Sequence, residues 1–452
     1  MSKSGVLSMK AKEMERRFEP LQSTVSPDEA AGEAARCLFC YDAPCTQACP
    51  VHISVPDFIR KIRDGNIKGA ARQLYETNYF AGGCARVCPS EELCEGTCVM
   101  KNLDGRPVPI ARLQRFATDW AIMNRVDVLF PGSPTGKQAA VIGAGPAGYS
   151  CAAELARLGN KVTLFEARQY DGGLYTHAIA RYKLTAEFTH RELRMLKRLG
   201  IRLVTGAKIG EDISFESLLK KYDAVFLGIG RGQTAPLNIP GENLHGVIEG
   251  LSFLEKMHTM PLDKVSVGRR VAVIGGGNTA VDSAISAARL GAQDVIIVYR
   301  RSEDEMPAYK KERDMARLDG VRFVWLAAPV RILGGRRVAG VKCVRMRLGA
   351  PDASGRPRPI PISGSEFTIE CDMVIAALGQ VQLMDVLSKI EGLKIKDGLV
   401  VVNSKTGATK VPKLFAGGDC TTGGGEMVDA VAEGIRAARG MNEYMVKLTI
   451  DN

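Results

Sequence analysis

Twelve cysteines stand in the chain, and eight of them fall between Cys37 and Cys98. The first group reads Cys37-x2-Cys40-x4-Cys45-x3-Cys49-Pro50, and the second Cys84-x3-Cys88-Pro89-x4-Cys94-x3-Cys98. Thiolates so closely spaced on short loops can converge on one metal centre, and Cys-Pro after such a run is a pattern of iron–sulfur sites. Zinc competes, because four-cysteine zinc sites also use Cys-x2-Cys, but those usually come as two separated pairs. Here the cysteines crowd four at a time into two short stretches. Disulfides are a third reading; Met1 to Arg17 is polar and lysine-rich with no apolar core, so no secretory signal favours them. Of the later cysteines, Cys151 lies in an alanine-rich helical stretch and is most simply core.

A second chemistry is written in glycines. The strand Ala139-Ala140-Val141-Ile142 runs into Gly143-Ala144-Gly145-Pro146-Ala147-Gly148, an alanine-rich helix, and the strand Val162-Thr163-Leu164-Phe165. The pattern returns 132 residues later as Val271–Ile274, then Gly275-Gly276-Gly277-Asn278-Thr279-Ala280, a helix, and Val295–Val298. In each βαβ unit the glycines let backbone N–H groups and a helix N-terminus meet a pyrophosphate. The first copy's second strand ends in Glu166, 18 residues after Gly148, where a carboxylate can accept both ribose hydroxyls of an adenosine. The other ends in Tyr299-Arg300-Arg301, and a guanidinium pair there could grip a 2′-phosphate, which favours NADPH over NADH. An ordinary solvated loop is the plain alternative. Near the C-terminus, Leu414-Phe415-Ala416-Gly417-Gly418-Asp419 is a short strand ending in Gly-Gly-Asp before a helix from about Glu426, which aims Asp419 and a helix N-terminus at a flavin. Gly173 and Leu174 are counted with the cofactor-binding residues.

The elements that must position these groups follow from local pattern. Residues 1–135 read as a small helical domain. Ser26-Pro27-Asp28-Glu29 is a capping box that opens a helix toward Cys37. A second helix starts at Pro56, and a third runs from Pro109 to Ala121. Phe130 to Gly136 is a linker by composition. The remainder is α/β.

At 452 residues the chain is long enough for two or three domains. Its formal charge of +11 does not make a nucleic-acid binder, because Lys and Arg are scattered among acids and no basic-plus-aromatic motif appears. The excess suits anionic cofactors or an acidic partner. No apolar run approaches the ~18 residues that span a bilayer, so a soluble cytoplasmic protein is expected. The five histidines form no acid–base group, and no Cys-x2-Cys follows residue 98 to support a flavin-to-disulfide route.

On these motifs the chain resembles the two-dinucleotide-binding-domain flavoproteins. More narrowly, it resembles the electron-input module shared by dihydropyrimidine dehydrogenases and the glutamate synthase small subunit. The resemblance implies a helical domain with two [4Fe–4S] clusters (1–135), and an FAD domain (136–240 and 376–452) interrupted by an NAD(P)H domain (241–375). Ala224–Gly230 would leave the FAD domain and Met373–Gly379 lead back. The segment Cys37-Leu38-Phe39-Cys40-Tyr41-Asp42-Ala43-Pro44-Cys45 and Leu113-Gln114-Arg115-Phe116 are closest to dihydropyrimidine dehydrogenases. That likeness implies one cluster on Cys37, Cys40, Cys45 and Cys98, and another on Cys49, Cys88, Cys94 and Gln114. Counting alone would choose Cys84 over Gln114, and a buried glutamine bonded to backbone is the plain reading of Gln114.

The implied activity is hydride transfer from NADPH or NADH to FAD, then single-electron transfer through the clusters. Neither an FMN-binding barrel nor a C-terminal ferredoxin domain follows, so uracil or thymine reduction is expected on an FMN-containing partner in a hetero-oligomer. The alternatives are a glutamate synthase small subunit or a related ferredoxin-linked subunit, and a zinc-bearing interaction protein with inert nucleotide folds.

Overall fold

The computed structural model describes residues 9–20, 24–352 and 355–450. The reading of the first eight residues lies outside them. The chain divides into two compact units. One comprises Gln22–Thr176, Leu184–Arg231 and Gln382–Asn452; the other comprises Met1–Leu21, His177–Lys183 and Gly232–Val381.

The larger unit begins with helices. Pro27–Ala35 is capped by Ser26, whose Oγ accepts from the N–H of Glu29 at 3.2 Å. It is followed by Pro44–Gln47, Val55–Arg63 with Pro56 in its first turn, Ile67–Thr77, Ala81–Val87, Met100–Asp104 and Ile110–Met123. Phe58, Ile59 and Ile62 are buried along one side of Val55–Arg63, as its i, i+1, i+4 spacing requires. The connection to the α/β part has no regular structure over 126–135, yet it is held: the Gly132 and Thr135 N–H groups donate to Ala156 and Gly159 carbonyls at 3.1 and 2.9 Å.

Four strands follow, β1 (Gln138–Ile142), β2 (Lys161–Phe165), β3 (Arg202–Val204) and β4 (Ala224–Leu227). The smaller unit contributes β5 (Val247–Glu249), β6 (Arg270–Ile274), β7 (Asp294–Val298) and β8 (Arg322–Val324). Next come β9 (Ala327–Gly334), β10 (Val338–Pro351), β11 (Pro357–Pro361), β12 (Phe367–Ile369) and β13 (Met373–Ala376). The chain then returns to the larger unit through the hairpin β14 (Ile395–Lys396) and β15 (Leu399–Val400), then β16 (Leu414–Ala416) and the helix Met427–Ile450.

Two parallel sheets result, in the orders β16-β4-β1-β2-β3 and β5-β13-β6-β7-β8. β16 closes the first sheet beside β4, so one dinucleotide fold is interrupted by the other. The central strands are buried on both faces, which explains their unbroken apolar runs. β9 to β12 form an antiparallel layer within the smaller unit.

Two short segments join the smaller unit from elsewhere in the chain. Phe18, near the N-terminus, packs in one core with Met257, Leu262 and Tyr182. Lys183 is ion-paired to both Asp282 and Glu312 at 2.7 Å, and the Tyr182 hydroxyl donates to Asp282 at 2.7 Å. Local pattern carries neither placement. Among the described residues no helix is long and apolar enough to cross a membrane.

Candidate functional site: two nucleotide cradles and two cysteine sets

The glycines of the first turn divide three tasks. Gly143 has φ +97°, and a Cβ there would lie 2.3 Å from the Gly228 carbonyl oxygen. A Cβ on Gly148 would meet the Gly143 carbonyl at 1.8 Å, so this glycine lets the helix Pro146–Arg157 close on the strand. A Cβ on Gly145 would meet nothing within 4 Å, although Gly145 has ordinary extended backbone at φ −80°. It is the position left open for a ligand, at the N-terminus of a twelve-residue helix. Ala144 and Ala147 are buried beside it, and Pro146 occupies the first helical turn.

The second turn repeats the division. Gly275 has φ +149°, and a Cβ on it would lie 2.3 Å from the Ala377 carbonyl oxygen. Gly276 lies under the Tyr299 ring, where a Cβ would sit 2.3 Å from Cε2. Gly277 faces open space at φ −85°. Thr279 follows in the first helical turn, Ala280 takes the packed third place, and the Asn278 side-chain oxygen accepts from the N–H of Tyr309 at 3.2 Å. Each unit thus carries one cradle that a dinucleotide pyrophosphate fits.

Glu166 ends β2 with both carboxylate oxygens engaged. Oε2 accepts from the N–H of Ala144 and Oε1 from that of Arg168, each at 2.9 Å. Each oxygen keeps a second lone pair, so the carboxylate is oriented before any ribose reaches it. Gly173 has φ +57°, and its Cβ position is 2.9 Å from the Gly145 Cα, bringing this segment against the cradle. Leu174 beside it is 39% exposed. Gly418 at φ +79° would place a Cβ 2.9 Å from that of Ala147, so the Gly-Gly-Asp turn also reaches the same helix N-terminus. Burial raises the carboxyl of Asp419 above its ordinary value, and Arg231 offsets part of this.

The two arginines after β7 part company. Arg300 is exposed. Arg301 is 2% exposed, with Nε donating to the Pro357 carbonyl at 2.8 Å and Nη2 to Asp352 at 2.7 Å. The guanidinium pair is therefore a single free guanidinium beside one committed to holding the β10–β11 connection.

Among the cysteines, Cys37, Cys40, Cys45 and Cys98 line one apolar pocket with Val55, Ile59 and Ile110. Burial, together with the nearby Cys98 and Cys37, pushes the Cys45 thiol up to about 12. A positively charged iron–sulfur core at this pocket would offset that rise and favour the Cys45 thiolate. Phe39, inside the Cys37–Cys40 loop, has φ +52°, and its ring lies under the guanidinium groups of Arg60 and Arg63 at 5.0 and 4.7 Å. A non-glycine residue in this conformation costs about 1–2 kcal/mol, which the surrounding contacts hold in place.

Cys49, Cys84, Cys88 and Cys94 are electrostatic neighbours, although among the described residues no three cysteine, histidine or acidic side chains stand in a ready metal-holding arrangement. The neighbouring Cys84 thiol, then burial, then the Cys94 and Cys49 charges, raise the Cys88 thiol. Burial likewise raises Cys49 and Cys94. Gln114 is 7% exposed, and its amide donates to the Ala81 carbonyl at 2.7 Å. Ala81 opens the helix that carries Cys84 and ends at Cys88. No two cysteines are joined by a disulfide, and Cys151 is core.

The cysteine set next to the first cradle is tied to it by residues that sequence reasoning passed over. Glu192, fully buried on the helix Ala186–Lys197, accepts from the Gly82 N–H and the Tyr75 hydroxyl at 2.9 Å. Tyr79 donates to Glu154 on the cradle helix, and Phe80 packs edge-on against Tyr175, with ring centroids 4.9 Å apart. An isolated acid on an amphipathic helix and a tyrosine-rich stretch give no signal of such partners before folding.

Fold and site together define a pyridine-nucleotide-dependent flavoprotein oxidoreductase with an iron–sulfur domain. Residues 137–434 match the pyridine nucleotide-disulphide oxidoreductase family, and residues 14–126 match dihydropyrimidine dehydrogenase domain II, 4Fe-4S cluster. The glutamate synthase (NADPH) small chain of Halomonas elongata is 38% identical over 443 residues, covering 95% of this chain and 94% of that one. The subunit beta of the NADP(+)-dependent formate dehydrogenase of Moorella thermoacetica is 37% identical, over 89% of this chain and 60% of that one. Among solved structures, Mycobacterium tuberculosis FprA in complex with NADPH shares the fold with a TM-score of 0.57 and 20% identity, over 70% of this chain and 86% of that one. The chain belongs to the glutamate synthase small chain-like family of NAD(P)H- and FAD-dependent oxidoreductases.

Proposed function

We propose that the chain is the electron-input subunit of a multisubunit oxidoreductase, with NAD(P)H at the Gly275–Ala280 cradle, FAD at the Gly143–Gly148 cradle and two [4Fe–4S] clusters on the cysteine sets. The observation that carries this is the packing of the helix Ala81–Val87, bearing Cys84 and ending at Cys88, onto the flavin-type fold through Glu192 and Tyr175. A bound flavin supplies the conversion between hydride and single-electron chemistry. The chain's own part is placement: Glu166 orients the adenosine ribose, and the Gly145 and Gly277 backbones admit the pyrophosphates. Cys37, Cys40, Cys45 and Cys98 hold one cluster. Cys49, Cys88 and Cys94, with Gln114 or Cys84, hold the other.

A partner chain carries the organic site. The end-to-end similarity to glutamate synthase small chains favours a glutamate-forming partner. A second reading has an FMN partner reducing uracil or thymine; the buried placement of Gln114 against the cysteine-bearing helix favours it. The test is co-purification with the partner from the native host under anaerobic conditions, followed by NADPH oxidation assayed with uracil and with glutamine plus 2-oxoglutarate. The isolated chain should be brown-yellow, carry about eight irons and reduce artificial dyes while leaving uracil untouched. A colourless, zinc-loaded chain, or uracil reduction by this chain alone, would overturn the reading.

A further inference from the structure

The carboxylate of Glu192 has no exposure to solvent and belongs to neither glycine cradle nor cysteine set. Its Oε1 accepts from the Tyr75 hydroxyl at 2.9 Å and from the Gly82 and Gly83 N–H groups at 2.9 and 3.3 Å. Its Oε2 accepts from the Tyr175 hydroxyl. Burial raises the carboxyl above its ordinary value, and the Tyr175, Tyr75 and Gly82 donors, with the Arg86 charge, work the other way, in favour of the ionised form. Arg86 lies nearby, its guanidinium 3.7 Å over the Phe188 ring and paired to Asp119 at 2.5 Å.

The donors come from two sides. Gly82 and Gly83 sit two and one residues before Cys84, in the helix that ends at Cys88. Tyr175 sits two residues after Gly173, which abuts Gly145 of the flavin-type cradle. A Cβ on Gly82 would lie 2.8 Å from Glu192 Oε1, and one on Gly83 would lie 2.6 Å from the Tyr175 ring. These two glycines therefore permit the close approach that the carboxylate then fastens. A buried polar group is retained only where all its partners are satisfied, and this one is.

We infer that Glu192 is a positioning residue for electron transfer: it fixes the cysteine-bearing helix Ala81–Val87 against the flavin-binding segment and sets a negative charge at the Gly82–Gly83 end of that helix, which leads through Cys84 to the cysteine set of Cys49, Cys88 and Cys94. This rests on the proposed reading that a cluster occupies that set. A nearby negative charge opposes the arrival of an electron, so its removal makes the adjacent centre easier to reduce and leaves a more distant one little changed.

The test uses the anaerobically purified holoprotein and its Glu192→Gln and Glu192→Asp variants. Iron and FAD content are measured first, then each cluster's potential by titration monitored with electron paramagnetic resonance, then amide exchange over residues 79–87. Glu192→Gln should keep iron and FAD, shift one cluster's potential upward and leave the other in place. Gly82 and Gly83 should exchange roughly ten- to hundredfold faster, as expected for loss of a charge-assisted hydrogen bond. Glu192→Asp keeps the charge on a shorter arm, so its potential should stay near wild type while exchange quickens. Where Glu192→Gln fails to fold, Tyr75→Phe strips one donor and should speed the same exchange without loss of iron. Unchanged potentials in Glu192→Gln, or unchanged exchange in Tyr75→Phe, would overturn the role of Glu192. A wild-type chain without iron would instead overturn the functional reading beneath it.

Discussion

The side-chain amide of Gln114 donates to the main-chain carbonyl of Ala81 at 2.7 Å, joining the helix Ile110–Met123 to the first residue of the helix that carries Cys84. With the nitrogen so engaged, the amide oxygen is its remaining acceptor end. Cys84 meanwhile stands one helical turn before Cys88, whose N–H donates to the Cys84 carbonyl at 3.0 Å. Gln114 and Cys84, the two alternatives for one proposed cluster ligand, are therefore both tied to one short helix.

Substitution separates them. If Gln114 is a ligand, Gln114→Cys should shift one cluster's potential at unchanged iron content, because thiolate adds a negative charge at the iron. Cys84→Ser should then leave iron content and the reduced-cluster spectrum unchanged. Loss of about four irons in Cys84→Ser, with Gln114→Ala silent, would assign the position to Cys84.

The open glycines should behave unlike the packed one. Gly145→Ala adds a Cβ to open space at an ordinary φ, so the apoprotein should melt normally. The methyl enters the cradle, and FAD should bind roughly ten- to hundredfold more weakly, equivalent to about 1–3 kcal/mol of overpacking. Gly277→Ala should do the same to NAD(P)H. Gly148→Ala, whose Cβ would lie 1.8 Å from a carbonyl oxygen, should fail at folding. Calorimetry of the apoproteins beside ligand titrations checks all three.

Nucleotide preference should rest on Arg300. Arg300→Gln should raise the KM for NADPH and spare that for NADH. Arg301→Gln should lower the melting temperature and affect both nucleotides alike, because its guanidinium holds Asp352 and Pro357. Discrimination lost in Arg301→Gln but kept in Arg300→Gln would reverse the assignment.

Asp171 should give the flavin segment an acid limit. Burial alone would raise its carboxyl, but Lys197 at 2.8 Å and the Tyr149 hydroxyl hold it below the ordinary value. A carboxyl depressed on folding contributes stability above its unfolded pKa of about 3.9, and that contribution disappears as pH falls through the folded value. Melting temperature and FAD retention should therefore drop as the solution is acidified below about pH 4. In Asp171→Asn that drop should shrink, while stability at pH 7 falls by about 1 kcal/mol.

Elements with a strong local cause were legible before folding. Ser26-Pro27 starts its helix because a hydroxyl and a ring act on the next few residues alone. Each glycine turn announces itself because strand, turn and helix adjoin in the chain, and the interruption of one dinucleotide fold by the other followed from the family resemblance those turns carry. Tertiary structure decided what depends on distant partners. Arg301 reads like Arg300 until Asp352 and the Pro357 carbonyl arrive from some fifty residues away. Glu192 looks like any helical acid until helices 117 and 110 residues earlier supply Tyr75 and Gly82. Eight clustered cysteines announce metal from spacing alone, but which sulfurs share a pocket depends on the return of Cys98 to Cys37, Cys40 and Cys45. Local preference acts over a helical turn or a strand pair, whereas burial and pairing depend on contacts made only once the chain has closed on itself.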